Sequence, residues 1–217
     1  MAEAIKQGRV AVNGKVASDF RLTISPDDKV TFDGHPVNLK PGKKLVYLML
    51  NKPPGILTTT RDERGRDTVM ALLPPKYRNL GLYPAGRLDK DSTGLLILTN
   101  DGNLTYKLTH PKFEHEKEYL VRLDKRLVLV DADRLKRGIL LEDGRTRPAT
   151  IKPAAEPLSY RITVHEGKKR QLRRMFAALG YRVEALQRVR IGRLLLGTLK
   201  EGESRELTQA EVASLMG

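Results

Sequence analysis

Gly86-Arg87-Leu88-Asp89-Lys90-Asp91-Ser92-Thr93-Gly94-Leu95-Leu96-Ile97-Leu98-Thr99-Asn100-Asp101-Gly102 is the stretch from which the rest of the chain is read. Gly86 and Gly94 bound a loop that carries Asp89, and the apolar run Leu95 to Leu98 follows at once as a strand. The loop sits in a chain of 217 residues with 40 Lys and Arg against 26 Asp and Glu, a net charge of +14. Such a charge attracts polyanions. A carboxylate beside a polyanion-binding surface weakens that attraction, so chemistry explains Asp89 more easily than binding does.

Composition narrows the partners. A basic chain of this size suits one medium domain, or a small and a larger one, that meets nucleic acid or an anionic membrane surface. With no Cys in the chain, disulfides, thiolate catalysis and Cys-ligated zinc are excluded. The four His residues, His35, His110, His115 and His165, have no metal-ligand spacing, so no metal site is expected. No apolar run approaches the ~20 residues of a membrane helix, and no secretory leader is apparent. These features lead us to expect a cytoplasmic protein that does not engage a membrane.

The N-terminal segment reads as a small β-rich lobe. Residues 1 to 8 have the character of a helix end stopped at Gly8. Arg9 to Val16 alternates and turns at Asn13-Gly14, the pair a two-residue hairpin favours. Lys29 to Phe32 forms a short strand that ends at Asp33-Gly34. Val37 to Lys44 has the Pro, Gly and charge content of a linker. Beyond it, Leu45 to Leu50 is a strand buried on both faces, ended by Asn51-Lys52-Pro53-Pro54-Gly55. Further strands are expected at 94–99, 117–123 and 159–165. Helices are expected near 102–109, 131–138, 170–179 and 208–216. The 170–179 helix carries an apolar stripe at 172, 175, 176 and 179 and a C-cap at Gly180. Thr208 and Glu211 form a capping box. The expected class is α+β, with a mostly antiparallel central sheet flanked by helices.

Several motifs fail. Asp89-x-Asp91-x-Thr93-Gly94 starts like an EF-hand loop, but position 12 is Asn100 and the interior is an apolar strand. There is no phosphate-binding glycine loop, dinucleotide fingerprint or nucleophile elbow.

The motifs that remain are N-K-P-P-G at 51–55, G-R-L-D at 86–89, H-P at 110–111, K-E-Y-L-V at 117–121 and E-G-K-K-R-Q-L-R-R-M at 166–175. Their order resembles the RsuA/RluB family of ribosomal RNA pseudouridine synthases over about residues 8 to 212, with loops most similar to the RluB branch. The segment G-R-V-x-V-N-G-K followed by P-x-D-x-V resembles the second half of an S4 RNA-binding domain without its first helix, that is, a truncated S4 domain. The resemblance implies a partial S4-like domain over 1–40 and a catalytic domain with the pseudouridine synthase fold over 45–217.

It also implies an activity: isomerisation of a specific uridine in 23S ribosomal RNA near the peptidyl-transferase centre. The alternatives are a 16S ribosomal RNA synthase and a non-catalytic S4-type RNA-binding or ribosome-assembly factor. The reaction is an isomerisation, so no cofactor is expected. The partner would be ribosomal RNA or a precursor particle, and the protein a monomer.

By resemblance Asp89 is the catalytic aspartate, acting as nucleophile or base near C1′ and C2′ of the ribose. On its residues alone the commoner reading is a turn Asp paired with Arg87 or Lys90. Arg173 matches the cation that faces this aspartate, with Arg170 and Arg174 competing for the assignment. Tyr119 matches the tyrosine that stacks on the uracil, and Leu172 the apolar residue across the pocket; strand core and helix core are the alternatives. Arg87 is expected to enter the gap left by a flipped nucleotide, or else to pair with Asp101 or Asp91. Lys52, Arg170, Arg174, Lys168, Lys169 and Arg9 are expected RNA contacts, with Arg61, Arg64 and Arg66 as further candidates.

Overall fold

A computed structural model describes residues 2–19, 22, 24, 25, 27–37 and 44–217. Two compact units, Met1–Leu45 and Val46–Gly217, divide it. The first holds α1 (Ala2–Lys6), β1 (Val10–Val12), β2 (Lys15–Val16), β3 (Val30–Phe32) and β4 (His35–Pro36). Its four strands form a sheet in the order β2-β1-β3-β4. Both tight turns use the left-handed region: φ is 52° at Asn13 and 80° at Gly14, 49° at Asp33 and 77° at Gly34. Most of the expected linker, residues 38–43, lies outside the described residues.

The second unit runs β5 (Tyr47–Lys52), α2 (Pro75–Arg78), β6 (Tyr83–Pro84), β7 (Thr93–Thr99), α3 (Gly102–Thr109), β8 (Lys117–Leu123) and α4 (Leu129–Arg137). It continues β9 (Leu140–Leu141), β10 (Gly144–Arg145), β11 (Thr150–Pro153), β12 (Ser159–Val164), α5 (Gln171–Ala177), β13 (Val183–Ile191), β14 (Leu194–Leu195), β15 (Ser204–Glu206) and α6 (Gln209–Met216). The main sheet is ordered β11-β12-β8-β13-β7-β5-β15, with β14 on β13 and β6 on β7. Its pairings are antiparallel except β13 with β7, so the α+β class with a mostly antiparallel sheet and flanking helices is what the chain adopts.

Apolar runs explain the centre. In β7, Leu95 and Ile97 enter one core with α3 and α6, and Leu96 and Leu98 enter another with Leu73, Tyr77 and Leu88. Met49 of β5 joins the first core, and Leu48 and Leu50 the second. Side chains alternate across a strand, so a continuous apolar run is what a strand covered on both faces requires. A third core gathers β8, β12, α4 and α5. The Thr208–Glu211 capping box starts α6, and Asp101 caps α3 by accepting from the Asn103 and Leu104 amides.

Strand β13 is absent from the sequence expectations although it lies beside both β7 and β8. It alternates, but a charge occupies a buried position: Leu186 and Arg188 are buried while Ala185 and Gln187 are not. A buried Arg breaks the apolar period by which a strand is recognised. Its contact with β7 also demands Gly94. A Cβ there would lie 2.3 Å from the Arg188 carbonyl oxygen and 2.7 Å from its nitrogen, and φ is +100°.

Candidate active site

Strands β8 and β13 form one wall of a cleft of about 1250 Å³ in the second unit. The loop from Gly86 to Ser92 enters it from one side, and the Glu166 to Leu172 segment from another. Tyr119 and Lys117 on β8, Leu186 and Arg188 on β13 and Val164 on β12 line its sheet side. The sequence motifs at 86–89, 110, 117–119 and 166–172 thus meet in one place.

The cleft is strongly basic. Ten Lys and Arg line it against four carboxylates: Asp62, Asp89, Glu114 and Glu166. Three of the four are engaged. Asp62 pairs with Arg66, Glu114 with Arg147, and Glu166 accepts from the Arg147 amide and Gln171. Asp89 has no side-chain hydrogen bond or ion pair among the described residues. Neither Arg87 nor Lys90 neutralises it.

Its loop, by contrast, is pinned from behind. Thr58 Oγ1 donates to the Leu88 carbonyl at 2.8 Å, and the Gly55 amide to the Lys90 carbonyl at 2.8 Å. Lys52 Nζ donates to the carbonyls of Pro53 at 2.8 Å, Ser92 at 2.8 Å and Lys90 at 3.2 Å. Arg188 Nε donates to the Leu95 carbonyl at 2.7 Å and Nη1 to that of Arg87 at 3.4 Å. Carbonyls that no strand can pair are thus met by buried cations, and a buried polar group needs such a partner.

Lys52 is therefore corrected. It is 0% exposed and holds the Asp89 loop, so it is no RNA contact. Burial pushes its ammonium down to about 8, with Asp91 and Asp89 pulling the other way. Lys117, also in the cleft, is pushed down to about 8 by burial and by the neighbouring Arg188.

Arg173 is corrected too. Its guanidinium meets Asp91, not Asp89: Nη2 lies 3.2 Å from the carboxylate and 3.3 Å from the Asp91 carbonyl, and Nη1 donates to the Val183 carbonyl at 2.9 Å. Arg170 holds the same Asp91 carboxylate at 3.2 Å. Burial raises the Asp91 carboxyl, but these two cations outweigh it and hold it below its ordinary value. The reason is local. Arg170 precedes α5 with φ of 49°, and both guanidinia gather on the one carboxylate that faces this helix start. Arg174 is likewise engaged away from the cleft lining, bidentate to Asp143 at 3.0 Å.

The remaining expected residues fall in two groups. Tyr119 and Leu172 line the cleft and pack into the core behind it. Arg87 and Lys169 are exposed at the cleft with no side-chain hydrogen bond or ion pair among the described residues. Asp101 caps α3 and Asp91 is held by Arg170 and Arg173, so neither pairs with Arg87. Lys168 reaches the Asp143 and Gly144 carbonyls. Arg9 belongs to the first unit, where it pairs with Asp33 and lies over the Phe32 ring. Sequence reasoning missed Arg188 and Thr58. The signal for Arg188 was its place in Val183–Ile191 between alternating small and apolar residues; for Thr58 there was none.

Comparison with known proteins agrees with this fold. The sequence profile of the RNA pseudouridylate synthase family matches residues 46–178. Ribosomal large subunit pseudouridine synthase B of Bacillus subtilis is 38% identical over 98% of this chain and 87% of its own length. Ribosomal small subunit pseudouridine synthase A of Salmonella typhimurium is also 38% identical, over 97% of this chain and 90% of its own. A crystal structure of a pseudouridylate synthase superposes with a TM-score of 0.75 at 35% identity, over 99% of this chain and 91% of that one. With matched motifs converging on one cleft and a shared fold along nearly its whole length, the chain belongs to the RNA pseudouridylate synthase family.

Proposed function

We propose that the protein converts a specific uridine of ribosomal RNA to pseudouridine, with Asp89 as its catalytic carboxylate. The observation that carries this reading is the one cleft carboxylate with no side-chain hydrogen bond or ion pair among the described residues, in a cleft lined by ten cations. An RNA strand needs the cations for its phosphates. The lone carboxylate opposes binding and is explained by reaction at the sugar. The reaction breaks the N1–C1′ bond, turns the uracil, forms a C5–C1′ bond, releases the C5 proton and protonates N1. Atoms and electrons balance without an oxidant or reductant. Asp89 acts at C1′ as a nucleophile or at C2′ as a base.

Tyr119 offers a flat ring for the extruded base, and Leu172 an apolar wall. Arg173 acts through Asp91 as a positioning residue of the loop. Arg87 and Lys169, both without a side-chain hydrogen bond or ion pair among the described residues, meet the RNA around the flipped nucleotide. Lys168, Arg170 and Arg174 would reach phosphate only by giving up their present partners. Arg9 in the S4-like N-terminal unit adds RNA contact outside the cleft. The cytoplasm, where ribosomal RNA is modified in bacteria, is the matching compartment. A monomer suffices, since the whole cleft is built from one chain.

We favour large-subunit RNA, on the form of the motif loops and the Bacillus subtilis relative. The Salmonella typhimurium relative, at equal identity, supports a small-subunit target as the second reading. Tritium release from each RNA labelled at uracil C5 decides between them, because the new bond expels that hydrogen. Release from one RNA that vanishes in Asp89→Asn is the expected result. Silence on both RNAs and on their precursor particles, with binding intact, would leave a ribosome-assembly factor.

A further inference from the structure

Among the described residues, two buried side-chain donors of the cleft lining have no acceptor, Ser92 Oγ and Arg188 Nη2, and only the second carries a charge. Arg188 is 3% exposed and lines the cleft with Asp89 and Tyr119. Its Nε and Nη1 are bound to the Leu95 and Arg87 carbonyls, but Nη2 is buried with no hydrogen-bond partner. Leaving a charged donor unmet is expensive in a low-dielectric site, so such a group commonly has a role. Its position narrows the role. Arg188 lies directly across from Tyr119 in the β8–β13 ladder, so both side chains leave the same sheet face. The Nε and Nη1 bonds fix the guanidinium plane, and Gly94 lets its backbone approach the strand that follows the Asp89 loop.

We propose that Arg188 is a further catalytic residue, whose Nη2 donates to a carbonyl oxygen, O2 or O4, of the uracil detached in the reaction. This inference rests on the reading of the cleft given above. When the C1′–N1 bond breaks, its electron pair leaves with the base, and the negative charge spreads from N1 onto O2 and O4. A permanent cation with one donor held ready stabilises that charge as it develops and needs no reorganisation to do so. It also retains the free base until C5 attacks C1′. Asp89 works at the sugar and Arg188 at the base, so one carboxylate and one guanidinium serve opposite ends of the same bond.

The test is a cycle of protein and RNA changes on a substrate RNA that the wild-type protein modifies. Single-turnover rates are measured with uridine, 2-thiouridine or 4-thiouridine at the target, for wild type, Arg188→Gln and Arg188→Lys. Sulfur is a poor hydrogen-bond acceptor. For wild type one of the two thio bases is expected to slow the reaction roughly tenfold. Arg188→Gln should be about 100-fold slower with uridine, with RNA affinity unchanged and no further loss from that thio base. Arg188→Lys should recover part of the rate. Thermal unfolding of both variants keeps a stability loss separate from a rate loss.

A wild-type enzyme indifferent to both thio bases overturns the proposal without any variant. So do thio and Arg188 effects that simply multiply, or two variants that fail to fold. Turnover of the plain uridine substrate reports on the proposed function itself, so failure of that reading is told apart from failure of this one.

Discussion

Two basic regions border the cleft, and they use charge in opposite ways. Behind the Asp89 loop, Lys52 and Arg188 are buried and spend their donors on backbone carbonyls. Along the Glu166 to Arg174 segment Lys169 and Arg170 are exposed and Lys168, Arg173 and Arg174 half-buried; all but Lys169 pair with Asp91 or Asp143 among the described residues. The first region holds the loop from within, and the second offers its exposed members to solvent. A buried cation is restrained by its acceptors and shapes the chain around it. An exposed one keeps its charge available to phosphate, at a strength that salt screens. Residue type alone does not separate them, which is why Lys52 and Lys168 look alike along the chain.

Four experiments sharpen or break that contrast. The largest effect is expected at Asp89. Asp89→Asn should lower turnover by about 1000-fold or more, with RNA affinity equal to or slightly above that of wild type. Filter binding beside tritium release reads both, and collapsed affinity would move Asp89 out of chemistry and into binding.

Next comes the scaffold. Gly94→Ala places a Cβ against the Arg188 backbone in a left-handed conformation, and should destabilise the fold by about 3 kcal/mol in urea unfolding. Lys52→Met removes a donor from the carbonyls of Pro53, Ser92 and Lys90, the last of which keeps the Gly55 amide. It should cost about 3 kcal/mol and slow turnover, while the salt dependence of RNA binding stays as in wild type. An unchanged stability would return Lys52 to the contact surface.

The contact surface should give the reverse pattern. Arg87→Ala and Lys169→Ala should change stability by less than about 0.5 kcal/mol, yet each should weaken RNA binding and reduce its salt slope by about 1. A variant that melts early with its salt slope intact would place that residue in the scaffold.

The smallest effect concerns pH. Lys52 and Lys117 are both depressed to about 8 from an ordinary 10.5. Between those values the unfolded chain holds more protons than the folded one, so these two groups make stability rise with pH there. Below about 8 both carry charge in either state, and the full burial penalty applies. Lys117→Met should therefore flatten the stability curve between about pH 8 and 10.5. It should also remove any loss of RNA affinity on raising the pH through about 8. A curve identical to that of wild type would show that Lys117 is not desolvated.

Local patterns along the chain were enough for the elements whose causes are local. The apolar run Leu95–Leu98 announced a strand covered on both faces. Asn13-Gly14 announced a hairpin, and Thr208 with Glu211 a helix start. The residues of the site were legible as motifs because G-R-L-D, K-E-Y-L-V and Q-L-R-R-M are compact, and their order resembles one family. What packing decides was hidden. The alternation in Val183 to Ile191 is masked, since one of its buried positions is an Arg whose acceptors, Leu95 and Arg87, lie 93 and 101 residues away.

Pairing of charges was equally out of reach. The resemblance placed a cation opposite Asp89, but only the start of α5 decides that Arg173 and Arg170 meet at Asp91, leaving Asp89 without an ion pair among the described residues. The chain alone therefore determined most of the long strands, the caps and the class, because those depend on neighbours a few residues apart. The tertiary structure decided which cations are scaffold, which are surface, and which donor is left over for a ligand. Burial and ion pairing depend on residues brought together from distant parts of the chain.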